Sequence, residues 1–448
     1  MISLQYRNYL LGMMMLVGVV GTYDRFVFAL VLEPIKRDLA LSDSQLGLMT
    51  GIAFAAFYAI AGIPIARWAD RGNRITLVAA TTGLLGMMLA LCGIVSNFVQ
   101  LLLVRAGIAI GEAGCMPSAQ SLLADYFDRS ERPQAMATLL IFYPVSMIVG
   151  YLLGGWLVES FGWRGTFMIL GIPVLLTALL VKLTLKEPRL NIPVKANPLC
   201  TSATKTERKI PSLAMVLKVL WEKPSCRHLL MAFCVSYLFV MGTSQWIATF
   251  FIRTHGMTVA ELGAWMALSW GVGGIAGNYL GGYLATRYAS KNEKLQMRGL
   301  AFANIFYGMS SVAAYLSSNQ YLALAFIAMS AFFGSLTNGP IFSAIQSLVN
   351  ENMRSVTIAL LFLFANLIGF GLGPLSLGVL SDLLSPSLGQ ESLRYALVLF
   401  SPGVLWVAFH FWKVSETIEY DIEETEFGSS ADTENLDRKP AMEVERGV

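Results

Sequence analysis

The stretch "GTYDRFVFALVLEPI", Gly21 to Ile35, is an apolar run that carries Asp24 and Arg25 side by side. A later apolar run carries Arg105 and, seven residues on, Glu112. Ionised side chains at bilayer depth are costly and tend to mark substrate or ion pathways. Counted along ideal helices, Asp24 lies about 15 Å from the outer end of its span, Arg105 about 10 Å and Glu112 about 20 Å. Arg105 and Glu112 share one helical face. If the two spans face each other, the two acids and two bases form one neutral network. Protonating Asp24 or Glu112 leaves the site positive and frees an arginine to hold a phosphate or carboxylate as a bidentate pair. Proton and anion then bind with positive, reciprocal coupling. A substrate cation competes with the proton instead. The bland alternative is a static buried salt bridge that fixes helix packing. Neighbouring residues point about 100° apart on a helix, so which of Asp24 and Arg25 turns toward the Arg105–Glu112 side stays open.

The elements that must position these groups follow from hydropathy. The 448 residues are 55% hydrophobic and 14% charged, with mean hydropathy +0.60. The apolar residues fall in blocks of bilayer-crossing length. Twelve spans are expected, at about 8–33, 43–66, 75–96, 98–122, 134–158, 165–185, 228–252, 257–285, 299–317, 320–348, 355–383 and 392–413. The first is read as a retained helix, since no small-residue cleavage site follows it. Even-numbered breaks hold most of the basic residues, among them Arg67, Arg71, Arg74, Arg129, Arg132, Arg287 and Lys291. The basic side is therefore expected to be cytoplasmic, with both termini inside. The protein is read as an all-α, multi-pass integral membrane protein, in the inner membrane if bacterial.

Four regions are expected: a six-helix half over 1–185, a linker over 186–227, a second six-helix half over 228–414, and a tail over 415–448. The linker centre has the polar, proline-containing composition of a loop. Its end, "PSLAMVLKVLWEKP", spaces Leu213, Val216, Leu217, Leu220 and Trp221 as an amphipathic interfacial helix with Ser212 as N-cap. The tail is acidic and reads as solvated and disordered. The five cysteines match no zinc or redox spacing, and His228, His255 and His410 suggest no metal site. No cofactor and no nucleic-acid partner is expected, and the protein is read as a monomer.

"ARWADRGNR" after span two and "GGYLATRYASKNEK" after span eight are weakly alike, as in a transporter built from two parallel repeats. The first resembles the signature between helices 2 and 3 of the major facilitator superfamily. That resemblance implies gating roles for Asp70, Arg71 and Arg74, with Ala66 standing where the family has a glycine. "RAGIAIGEAG" and "GYLLGGW" resemble the superfamily's helix 4 and helix 5 motifs. "TYDRFVFALVLEPI", "GEAGCMPSAQSLLADYF" and "WIATFFIRTHGM" together resemble the Spinster branch, whose members are associated with export of sphingolipid and lysophospholipid amphiphiles. The resemblance implies a major facilitator fold and, for Asp24, Arg25, Arg105 and Glu112, proton-coupling and substrate-binding roles.

The second half offers amides, hydroxyls and aromatics rather than charge. Gln245, Trp246 and Asn338, with Tyr23 from the first half, are candidate cavity-lining residues; interhelical hydrogen bonding is the alternative. Charge on one wall and mild polarity on the other suit an amphiphile with a polar head and a tail, and equally a small organic anion or drug. No phosphate-binding loop is present: "GVGGIAGNYLGG" lacks the lysine. That points to a proton-coupled secondary transporter working by alternating access. A membrane enzyme would need a catalytic constellation, and none is visible. A non-transporting scaffold using the acidic tail is the remote alternative.

Overall fold

The computed structural model describes residues 4–128, 131–188, 213–288, 292–350 and 353–444, excluding the side chains of 63, 66, 70, 71, 133, 213, 355 and 425–444. Among the described residues there is no strand. This is what a bilayer demands, since helices satisfy their own backbone polar groups. Among the described residues, ten continuous helical segments are apolar and long enough to cross a membrane. Two of them, Gln134–Thr184 with 51 residues and Val356–Glu424 with 69, are too long for one crossing. The first breaks at Gly162, which has φ of 68°. The second breaks in the short turn Gly389–Glu391. Divided there, the segments make twelve spans. They are α1 (Leu4–Leu39), α2 (Asp43–Ala69), α3 (Arg74–Ile94), α4 (Phe98–Tyr126), α5 and α6 (before and after Gly162), α7 (Pro224–His255), α8 (Val259–Tyr288), α9 (Glu293–Leu316), α10 (Gln320–Leu348), and α11 and α12 (before and after Gly389–Glu391).

Four spans pause near their middles. α1 is interrupted between Val20 and Tyr23, and α4 between Ala113 and Cys115. α7 is interrupted between Ser244 and Ile247, and α10 between Ser335 and Asn338. In α4 the cause is local. Pro117 has no N–H to offer the Ala113 carbonyl, and the helix turns at Gly114. The four spans are related in pairs by the repeat, α1 to α7 and α4 to α10. Each pause falls next to a polar residue singled out from sequence: Asp24–Arg25, Glu112, Gln245 and Asn338.

The two halves meet along two seams at the end away from the basic loops, here called the outer end. α2 packs on α11 and α5 on α8. A methyl group on Gly51 would strike the Gly371 carbonyl, one on Gly378 the Asp43 carbonyl, and one on Gly263 the Tyr151 carbonyl. The backbones therefore touch, as small residues permit between membrane helices.

The linker helix forms over Leu213–Glu222. Val216 and Leu220 are buried, whereas Met215 and Trp221 point outward. One expectation needs correction. Residues 415–424 do not trail away from the bundle but continue α12 as a packed helix. Val414 and Ile418 are fully buried, Ser225 N–H donates to Asp421 Oδ2 at 2.8 Å, and Ser225 Oγ meets Thr417 Oγ1 at 2.7 Å. Composition averages over helix faces and so hides an apolar stripe beside an acid that caps the start of α7.

Gly378→Ala is expected to destabilise the purified protein by about 1–3 kcal/mol through overpacking at the seam. Gly299→Ala, whose methyl would meet nothing, is expected to be neutral or slightly stabilising. Thermal unfolding followed by tryptophan fluorescence checks this, and equal Tm for the two variants would contradict the seam.

Candidate functional site

The pause in α1 starts a new half-helix at Tyr23, placing Asp24 in its first turn. An acid is favoured there, because unpaired N–H groups face it. Asp24 is fully buried, and Arg105 Nη1 donates to its Oδ2 at 3.0 Å. Arg25, one residue on, points elsewhere. Its Nε donates to Glu112 Oε2 at 3.0 Å, and its Nη2 lies 2.7 Å from Oε1. The expected single network is thus two crossed pairs between α1 and α4, Asp24 with Arg105 and Arg25 with Glu112. The 100° between adjacent residues is what separates them.

The pairs differ in their surroundings. Arg105 and Asp24 are enclosed, with Arg105 stacked on Phe28 at 4.1 Å. Among the described residues, Asp24 Oδ1 and Arg105 Nε have no hydrogen-bond partner. The Arg25–Glu112 pair instead stands between two cavities. One, of about 420 Å³, is walled by Arg25, Tyr143 and Met147 from the first half and by Gln245, Trp270 and Asn338 from the second. The other, of about 180 Å³, is walled by Arg25, Glu112, Tyr58, Cys115 and Tyr143. Arg25 also lies 4.9 Å from the ring centroid of Phe54 in α2 and 5.5 Å from that of Phe370 in α11. It therefore touches both halves.

Two candidate cavity residues do not line the cavity. Trp246 is fully buried and its Nε1 donates to the Pro374 carbonyl at 3.0 Å. Tyr23 is buried and its hydroxyl donates to the Leu170 carbonyl. A pause in a helix turns consecutive side chains in different directions, and in both places the aromatic ring takes the packing side. Gln245 and Asn338 do stand in the cavity wall, and Asn338 Nδ2 donates to Asn278 Oδ1 at 3.1 Å. Of the loop signature, the side chains of Asp70 and Arg71 lie outside the described residues. Arg74 is buried and binds Glu187 at 2.5 Å, Asp125 at 2.6 Å and Ser121 Oγ at 2.9 Å. Asp125 and Ser121 belong to the first half, and Glu187 to the start of the linker that follows it.

The sequence reading missed a cluster at the outer end that joins the halves. Arg253, at the end of α7, donates through Nε to Glu33 at 2.6 Å and binds Asp43 bidentately at 2.6 and 2.8 Å. Lys36 and Ser381 also reach Asp43, each at 2.7 Å. Asp382 of α11 accepts from the backbone N–H groups of Asp43 at 3.0 Å and Ser44 at 2.7 Å, capping α2 from the other half. The signals were Glu33 inside an apolar run before Pro34 and the capping box Ser42–Gln45. Both read locally as helix ends rather than as a latch.

Two outcomes are expected. Asp24→Asn leaves Arg105 enclosed beside a neutral amide and lowers stability more than Glu112→Gln, whose Arg25 faces a cavity; removing one partner of an enclosed pair costs about 3–5 kcal/mol. Thermal unfolding of both variants checks the order. Arg253→Gln unlatches the outer end and lengthens the distance between spin labels at Ser160→Cys and Ser385→Cys, read by pulsed electron resonance. Unchanged distances would show that the latch does not hold the halves.

Residues 14–414 match the Major Facilitator Superfamily. The chain is 34% identical over 414 residues to an MFS-type efflux pump of Mycolicibacterium smegmatis, covering 92% of this chain and 93% of that one. It is 23% identical to a hexuronate transporter of Bacillus subtilis, covering 86% and 90% of the two chains. Among solved structures, a bacterial homologue of the human lysosomal transporter Spinster, inward-facing and unoccupied, superposes with TM-score 0.83. That match has 27% identity over 94% of this chain and 99% of that one. The Spinster likeness read from α1 and α4 thus extends to the whole fold. This multi-pass integral membrane protein belongs to the major facilitator superfamily of transporters.

Proposed function

We propose that the protein is a proton-coupled transporter of an amphiphile with an anionic head, in the lysophospholipid or sphingolipid class. The observation that carries this reading is Arg25, paired with Glu112, in the wall of a cavity otherwise lined by aromatic, apolar and amide side chains. A proton on Glu112 removes one member of the bidentate pair. Arg25 then offers its fork to a phosphate or carboxylate. The apolar wall takes the tail, and the amides Gln245 and Asn338 meet the remaining polar atoms. Proton and substrate favour each other's binding by the same factor.

Alternating access follows from the halves rocking around this midplane site. With the outer latch closed, the site communicates with the basic face, taken as cytoplasmic from its arginines and lysines. Opening the latch separates Arg253 from Glu33 and Asp43 and exposes the cavity to the other side. A second reading, a small organic anion or drug as cargo, is favoured by the efflux pump and hexuronate transporter among the relatives and by the modest cavity volume.

Proteoliposomes under an imposed pH gradient test both readings. Lysolipid or sphingolipid flux that depends on the gradient is expected, with Glu112→Gln and Asp24→Asn reaching the membrane but losing it. Gradient-driven flux of a small organic acid alone, with no lipid moved or bound, would reject the lipid cargo. Wild-type flux in both purified variants would reject the proton relay.

A further inference from the structure

The basic end of the second half carries a different constellation, on the outside of the bundle and away from the central cavity. α12 lies there between α7 and α9. Arg298 of α9 lays its guanidinium over the ring of Trp412, 5.1 Å from the centroid. Phe302, one turn along α9, meets the same ring edge-on at 6.3 Å. Lys413 pairs with Glu416 at 2.8 Å. On the α7 side, His228 Nδ1 faces His410 Nδ1 at 2.9 Å, and Arg227 precedes it. Among the described residues the cations of this corner are Arg298, Lys413 and Arg227, and the carboxylate beside them is Glu416. Two polar atoms of this corner, Arg298 Nε and His410 Nε2, are buried with no hydrogen-bond partner among the described residues. His410 is only 8% exposed, so its ring faces protein rather than water.

Along the same α9–α12 seam, from the middle of α9 toward its outer end, lies an apolar groove of about 360 Å³. Ile305, Met309 and Val312 form one wall, and Pro402, Val404 and Leu405 the other. Ile305 is seven residues from Arg298, and Leu405 seven from Trp412. The groove therefore begins about 10 Å below the charged corner along the helix axes. Exposed Phe302 and Trp412 stand between the two, where interfacial aromatics belong.

We propose that this seam is a binding site for an anionic phospholipid of the basic-face leaflet. Its phosphate sits on Arg298 and Lys413, and the far part of one acyl chain lies in the α9–α12 groove. Charge selects the headgroup, since basic pockets between helices at this membrane level attract anionic lipids. The groove is what separates a lipid from a free phosphate, which would use the corner alone. The site does not overlap the transport cavity, so it stands whatever the cargo is.

The test uses the full-length purified protein, stripped of lipid in detergent, and native mass spectrometry. Dioleoylphosphatidylglycerol, dioleoylphosphatidylcholine and inorganic phosphate are added separately. Phosphatidylglycerol adducts are expected at concentrations where phosphatidylcholine gives none. Arg298→Ala with Lys413→Ala should lower their occupancy about tenfold. Met309→Trp should lower it too, with every charge in place, by filling the groove. Lys182→Ala, on the same membrane face of the other half, should keep wild-type occupancy. Equal retention of the two lipids, or full retention in the Arg298–Lys413 double variant, would overturn the proposal. Displacement of phosphatidylglycerol by inorganic phosphate, or indifference to Met309→Trp, would overturn its lipid character.

Discussion

Arg25 is a permanent charge between membrane helices, only partly exposed to cavity space, and two oxygens of Glu112 accept its fork. A medium of low dielectric makes an unpaired charge so costly that the partner must be present in the folded state. Much of the first half follows from this requirement. α1 must lie against α4 at that depth. α1 must also pause at Gly21–Thr22, so that Asp24 and Arg25 leave the backbone toward different partners. The enclosed Asp24–Arg105 pair anchors the contact. The Arg25–Glu112 pair is the one that meets cavity space.

The second half repeats the geometry without the charge. α7 and α10 pause where their repeat partners α1 and α4 do. The residues at those pauses are Gln245 and Asn338, neutral amides that need no counter-ion. Interrupted helices bring backbone polar groups and short side chains to a cavity wall, which is tolerable in a membrane only where the wall faces protein or a cavity. The pauses of α1, α4, α7 and α10 each carry a residue that lines a cavity or sits beside one that does. The difference in side chains makes the site electrically one-sided.

Outer closure combines two interactions of different kinds. Glycines such as Gly51, Gly263 and Gly378 let backbones of opposite halves touch. That approach carries Asp382 to the N-terminus of α2 and Arg253 into reach of Glu33 and Asp43. The seam gives a close but weakly directional contact. The ion pairs add direction and can be broken by rearrangement without unfolding either half. Arg74, by contrast, pairs with Asp125 of the first half and Glu187 at the start of the linker, so it does not join the two halves.

The sequence by itself determined that the chain is helical and crosses a membrane many times, and it singled out the linker helix and the four charged residues of α1 and α4. These rest on hydropathy, helical period and charge scarcity, which are local properties of the chain. Tertiary structure decided how the four charges pair, because a 100° step between neighbours has no meaning until α4 is in place. It decided that Trp246 and Tyr23 pack rather than line the cavity, since a helix pause redirects side chains in ways that composition does not record. It also assembled the latch, whose members Glu33, Asp43, Arg253 and Asp382 are hundreds of residues apart at their extremes. Each of them looks like an ordinary helix end until the two halves meet.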